Sequence, residues 1–187
     1  MRDQYIKMIR RGQSWISALL FIIVFIICWK FTDFNLTDIE LSRWGKSGWI
    51  GRLWNTAVCT FAISIFINSF LYLKNKRRLG YRYLFYFLFA LLSICLFMVG
   101  MYNMDWYIIH NLSAGLYFFF YPLTIFLFSY LNRKNLSYKD WSHKVGISVS
   151  MAIIPMILMS LFNGMAIAEI AHTLLVIIYN IKLSTGE

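Results

Sequence analysis

Residues 83–131 read YLFYFLFALLSICLFMVGMYNMDWYIIHNLSAGLYFFFYPLTIFLFSYL. Two apolar runs, about Tyr83 to Met104 and Trp106 to Leu131, each reach the roughly 20 residues a helix needs to cross a bilayer core, and only Asn103, Met104 and Asp105 part them. In hydrocarbon every backbone polar group must be satisfied within its own segment, which leaves helices as the structure such runs adopt. The stretch is therefore two membrane-crossing helices joined by a tight outer hairpin.

Four more runs of this kind flank it: about Trp15 to Phe31 and Trp49 to Leu73 before, Val145 to Phe162 and Met165 to Ile181 after. The last two are parted only by Asn163 and Gly164, so they form a second tight hairpin. Pro122 and Pro155 fall inside runs and are read as kinks, because neighbouring helices, hydroxyls and water can re-satisfy the carbonyl that a proline frees. The predicted fold is all-α, a single six-helix integral membrane bundle over residues 1–187 with both termini on one side. Composition agrees: 60% of the 187 residues are hydrophobic and 14% charged, against roughly 45–50% and about 25% in soluble proteins. With the chain consumed by spans, no room is left for a soluble catalytic or nucleic-acid-binding domain.

Lysine and arginine in short loops set orientation. The N-terminal tail carries Arg2, Lys7, Arg10 and Arg11; the second connection Lys74, Lys76, Arg77, Arg78 and Arg82; the fourth Arg133, Lys134, Lys139 and Lys144; the C-terminal tail Lys182. Fourteen of the 18 cations thus fall on one side, and both termini are expected in the cytoplasm. The net charge of +10 follows from this topology and does not call for nucleic acid: basic inner loops meet anionic lipid headgroups. Lys74, Lys76, Arg77, Arg78, Arg133 and Lys134 form the expected docking face for such lipid or for an acidic cytosolic protein.

Arg10 and Arg11 precede an apolar run as in a signal peptide, but no small-residue cleavage site follows and Cys28-Trp29-Lys30 is not a processing signature, so the first span is retained. Cys28, Cys59 and Cys95 each lie inside a span without redox or ligand spacing and are packing residues. The chain has no fixed-period repeat, low-complexity tract or glycine-rich phosphate loop.

Ionisable groups inside a span are expensive and face the bundle interior or a cavity. They are His110 on the fourth helix and Glu169 and His172 on the sixth, with Asn55 on the second as the main neutral amide. Asn55, His110 and Glu169 each sit about five residues in from the outer ends of their helices, which at about 1.5 Å per residue gives them similar depth. A shared outer-leaflet pocket of Asn55, His110, Glu169 and His172 is expected, either as polar groups bonded across the bundle that pin helix register or as a ligand site. Glu169, His172 and Thr173 follow i, i+3, i+4 spacing, as do His110, Ser113, Ala114, Tyr117 and Tyr121, and Thr56, Thr60, Ser64 and Asn68. Two histidines and a carboxylate could hold a metal, or Glu169 could act as a base. No H-E-x-x-H or serine-elbow motif accompanies them, so no catalytic residue, metal or cofactor is assigned.

Leu36-Thr37-Asp38-Ile39-Glu40-Leu41 ahead of Trp54-Asn55-Thr56, Met98-Val99-Gly100-Met101 closing the third span, His110 with Ala114 four residues on, and Gly164 with Ala168-Glu169 opening the last span resemble bacterial six-helix membrane proteins of the DUF998 type and the related Frag1/DRAM/Sfk1 group. The resemblance covers about Ser17 to Ile181. It implies a compact bundle with Asn55, His110 and Glu169 facing inward, and no settled activity. Where such proteins commonly carry a proline near the end of the third span, Tyr102 and Asn103 stand here.

The leading expectation is a non-enzymatic interaction or sensing subunit of the bacterial cytoplasmic membrane, in a setting such as envelope stress or phage defence. Its expected partners are membrane lipids, a cytosolic protein or a second copy of the chain. The alternatives are a lipid-headgroup-binding protein or hydrolase using the outer pocket, and an oligomeric channel or transporter.

Overall fold

The computed structural model describes residues 2–33, 35–37, 40–46, 48–75, 80–102 and 104–185. Six α-helices follow one another: α1 Arg2–Lys30, α2 Gly48–Asn75, α3 Arg82–Met101, α4 Tyr107–Leu131, α5 Tyr138–Leu161 and α6 Ala166–Thr185. Short 3₁₀ helices at Leu41–Lys46 and Met104–Trp106 sit in the α1–α2 and α3–α4 connections. All six α-helices are long and apolar enough to cross a membrane, so the protein is a multi-pass membrane bundle.

Two helices begin well before the apolar pattern does. The first runs from Arg2 rather than Trp15, and α5 from Tyr138 rather than Val145. For α5 the cause is local: Ser137, with extended backbone, accepts the Asp140 N–H at 3.1 Å, and that cap starts a helix through polar residues. The third helix stops at Met101, three residues short of the expected Met104. Both α4 and α5 run continuously through Pro122 and Pro155. Hydroxyls inside spans turn back onto their own helices, as when Thr56 donates to the Arg52 carbonyl at 2.7 Å and Ser129 to that of Ile125 at 2.7 Å. In hydrocarbon that is the cheapest partner within reach.

Each helix packs on its neighbours in chain order, α6 closes on α1, and α2 also reaches α6 across the bundle. Small residues decide the closest approaches. A Cβ on Gly100 would lie 2.7 Å from Cys59 Sγ and 3.0 Å from the Asn55 carbonyl oxygen, so α3 presses its backbone onto α2. The core is aromatic: Trp44 packs edge-on to Trp54 at 5.1 Å, and Phe85 to Phe128 at 4.9 Å. Outside, Ile108 is 79% and Phe119 67% exposed, a surface suited to lipid.

The two ends differ. At one lie the helix starts of α2, α4 and α6 and both 3₁₀ helices, tied by Gly164 N–H donating to the Thr37 carbonyl and by a Lys46–Asp105 ion pair at 3.3 Å. At the other lie both chain termini, joined by Arg10 donating from its guanidinium to the Leu183 carbonyl. Lys74, Arg82, Arg133, Lys134, Lys139 and Lys144 are at this second, basic end.

Candidate functional site

Asn55, His110 and Glu169 enter from three helices at the end away from the termini, and each engages backbone of a connection. His110, four residues into α4 and 4% exposed, has Nδ1 2.7 Å from the Tyr102 carbonyl oxygen beyond the end of α3. A carbonyl only accepts, so Nδ1 carries a proton and donates it to Tyr102. Glu169, four residues into α6, accepts the Leu41 N–H at 2.7 Å and so holds the first residue of the 3₁₀ helix. From α2, Asn55 directs its amide to the Gly45 carbonyl at 3.5 Å. A Cβ on Gly45 would come 2.7 Å from Asn55 Oδ1, so a side chain there would displace the Asn55 amide.

His110 and Glu169 line one cavity of about 60 Å³, together with Ala114 and Tyr117 of α4, Thr173 of α6 and Ser42 of the 3₁₀ helix. Apolar rings including Phe21, Trp54 and Phe61 complete it. Asn55 and His172 do not line it. At 100° per residue, His172 and Thr173 point a quarter-turn apart; Thr173 reaches the cavity, while His172 turns to α5. Its Nδ1 lies 3.4 Å from the Met151 carbonyl of α5, and its ring packs edge-on against Phe118 of α4 at 4.7 Å. The α2 stripe divides as well. Thr56 and Thr60 are exposed and back-bonded, whereas Ser64 and Asn68 are buried.

Ser64 and Asn68 belong to a network that the reading of the sequence did not assemble. Asn68 donates to Ser14 and to Asn180 Oδ1 at 3.0 Å, Asn180 donates to Ser64 Oγ at 3.3 Å, and the Ser17 and Ser64 hydroxyls lie 2.8 Å apart. Three helices, α1, α2 and α6, are thereby bonded side chain to side chain. The signal was present as polar pairs at helical spacing, Ser14 with Ser17, Ser64 with Asn68 and Asn180 with Ser184, each toward the basic end of its helix.

On the basic face, Lys74, Arg133 and Lys134 are exposed, and Arg133 lies over the Tyr130 ring at 5.2 Å. Lys76, Arg77 and Arg78 lie outside the described residues. Among the described residues, no three His, Cys, Asp or Glu side chains come together so as to hold a metal ion.

The family described as protein of unknown function (DUF998) matches residues 15–185. No curated protein and no solved structure matches the chain. A match over so much of its length shows that the chain belongs to the DUF998 family.

Proposed function

We propose that this DUF998 member is a non-enzymatic interaction or sensing subunit of the bacterial cytoplasmic membrane. Both termini face the cytoplasm, where the basic end meets an acidic surface on a soluble protein or anionic lipid. The observation that carries this reading is the division of polar groups between the two ends. At the end away from the termini, Asn55, His110 and Glu169 are spent on backbone partners. At the other, Lys74, Arg133, Lys134, Lys139 and Lys182 present their side chains outward. Cation-rich short loops face the cytoplasm, and clustered cations beside a span attract anionic surfaces.

Affinity purification in mild detergent tests the proposal. The wild-type chain should retain a specific soluble protein, and Arg133→Glu combined with Lys134→Glu should release it. Retention unchanged by that double reversal, or a bare monomer from wild type, would count against the reading.

A further inference from the structure

A cavity of about 430 Å³ opens at the basic end, where the start of α5 meets the end of α6. Its charged and polar lining comes from Ser137, Lys139, Asp140, His143, Lys144 and Lys182, with Tyr179 in the wall. Among the described lining residues three lysines stand against one aspartate. Lys144 is fixed in place. It is 5% exposed, and its Nζ lies 5.7 Å from the centre of the Tyr72 ring, which Arg10 also covers at 5.6 Å. Two buried cations sharing one ring each gain from its negative face but repel each other where the dielectric is low, so the local potential favours an anion.

Helix geometry adds to this. Ser137 caps α5 through its oxygen, and the first-turn N–H groups of a 24-residue helix carry partial positive charge at the cavity's edge. Tyr138 and Trp141 pack together at 6.0 Å on the same turn, and aromatic residues of this kind mark the headgroup level of a bilayer. The apolar part of α5 begins at Val145, directly after the buried lysine.

We infer that this α5–α6 cavity is a binding site for a phosphate group at the membrane surface. The buried Lys144 lies deepest, and the exposed Lys139 and Lys182 close over the anion from the water side. The inference rests on the reading that the basic end is the working end of the molecule, and it names a site separate from the Arg133–Lys134 face. The same chemistry would take the phosphodiester of an anionic phospholipid or a free phosphate.

The test uses the full chain in nanodiscs of phosphatidylcholine, with and without phosphatidylglycerol, and in detergent with inorganic phosphate or pyrophosphate. Thermal unfolding and native mass spectrometry are the readouts. Phosphatidylglycerol should raise the unfolding temperature and remain bound, and Lys139→Gln with Lys182→Gln should weaken its binding about thirtyfold, the loss expected for two interfacial lysines. Pyrophosphate stabilising the wild type with no response to phosphatidylglycerol would keep the site and make its ligand soluble. The charge-keeping pair Lys139→Arg and Lys182→Arg should bind as wild type, which serves if the glutamine pair fails to fold. Loss of binding in the arginine pair, binding unchanged in a folded glutamine pair, or no response to either ligand overturns the inference. Arg133→Glu with Lys134→Glu should leave phosphate binding intact, so failure here and failure of the docking reading are told apart.

Discussion

Asn55, His110 and Glu169 would each be costly in hydrocarbon, and each offsets that cost on the backbone of a connecting segment. Removing such an acceptor strands a buried donor. In Glu169→Leu the Leu41 N–H loses its partner at 2.7 Å, a loss of about 1–3 kcal/mol. Glu169→Gln keeps an amide oxygen there and should cost less than half as much. Thermal unfolding of both variants in one detergent decides the matter, and equal stabilities would remove the clamp from the account. His110→Glu should be worse than Glu169→Leu, because it discards the donor to Tyr102 and sets a second carboxylate in the same 60 Å³. Span position alone brought His110 and Glu169 to one depth, and they do line one cavity. Their partners were not legible, because hydrogen bonds to backbone carbonyls and N–H groups leave no mark on residue identity. Nor was the placement of His172, buried at 1% exposure with Nδ1 toward the Met151 carbonyl of α5, since i+3 spacing from Glu169 allowed the same face.

Among the elements, α2 is held by glycine on one side and by amides on the other. A methyl on Gly51 would meet the Gly45 carbonyl oxygen at 2.6 Å, and the obstacle is backbone, which cannot rotate aside. Gly51→Ala should therefore destabilise by about 1–3 kcal/mol, the usual range for overpacking. Gly115→Ala, with nothing within 4 Å, should be neutral or better, since alanine favours helix by about 1 kcal/mol. A denaturation series that ranks the two the other way would contradict the α2 contact. On the opposite side, Asn68→Ala removes bonds to Ser14 and Asn180. Interhelical bonds in membranes average about 0.6 kcal/mol each, so a loss of about 1–2 kcal/mol is expected, read as a lowered unfolding temperature with helix content unchanged in the folded state. The six helices could be read from apolar length, as could the shortness of the α3–α4 and α5–α6 connections. The early starts of α1 and α5 could not, since a capped polar turn such as 137–144 has no apolar signature.

For the whole molecule, the basic end is the expected cytoplasmic end. Reporters placed at Lys76, Lys134 and the C-terminus should act as cytoplasmic and one at Asp38 as external; an outward reading at Lys134 would break the orientation. Charge in the connections conveys that orientation from sequence because it acts through counting alone. What sequence conveys poorly is which cations are drawn inside. Arg10 and Lys144 read as ordinary loop charges, yet they are 2% and 5% exposed and share the Tyr72 ring. The bond from Arg10 to the Leu183 carbonyl also sets an order in time. Arg10 precedes Leu183 by 173 residues, so the first helix waits through synthesis of the helices between them before its guanidinium meets that carbonyl.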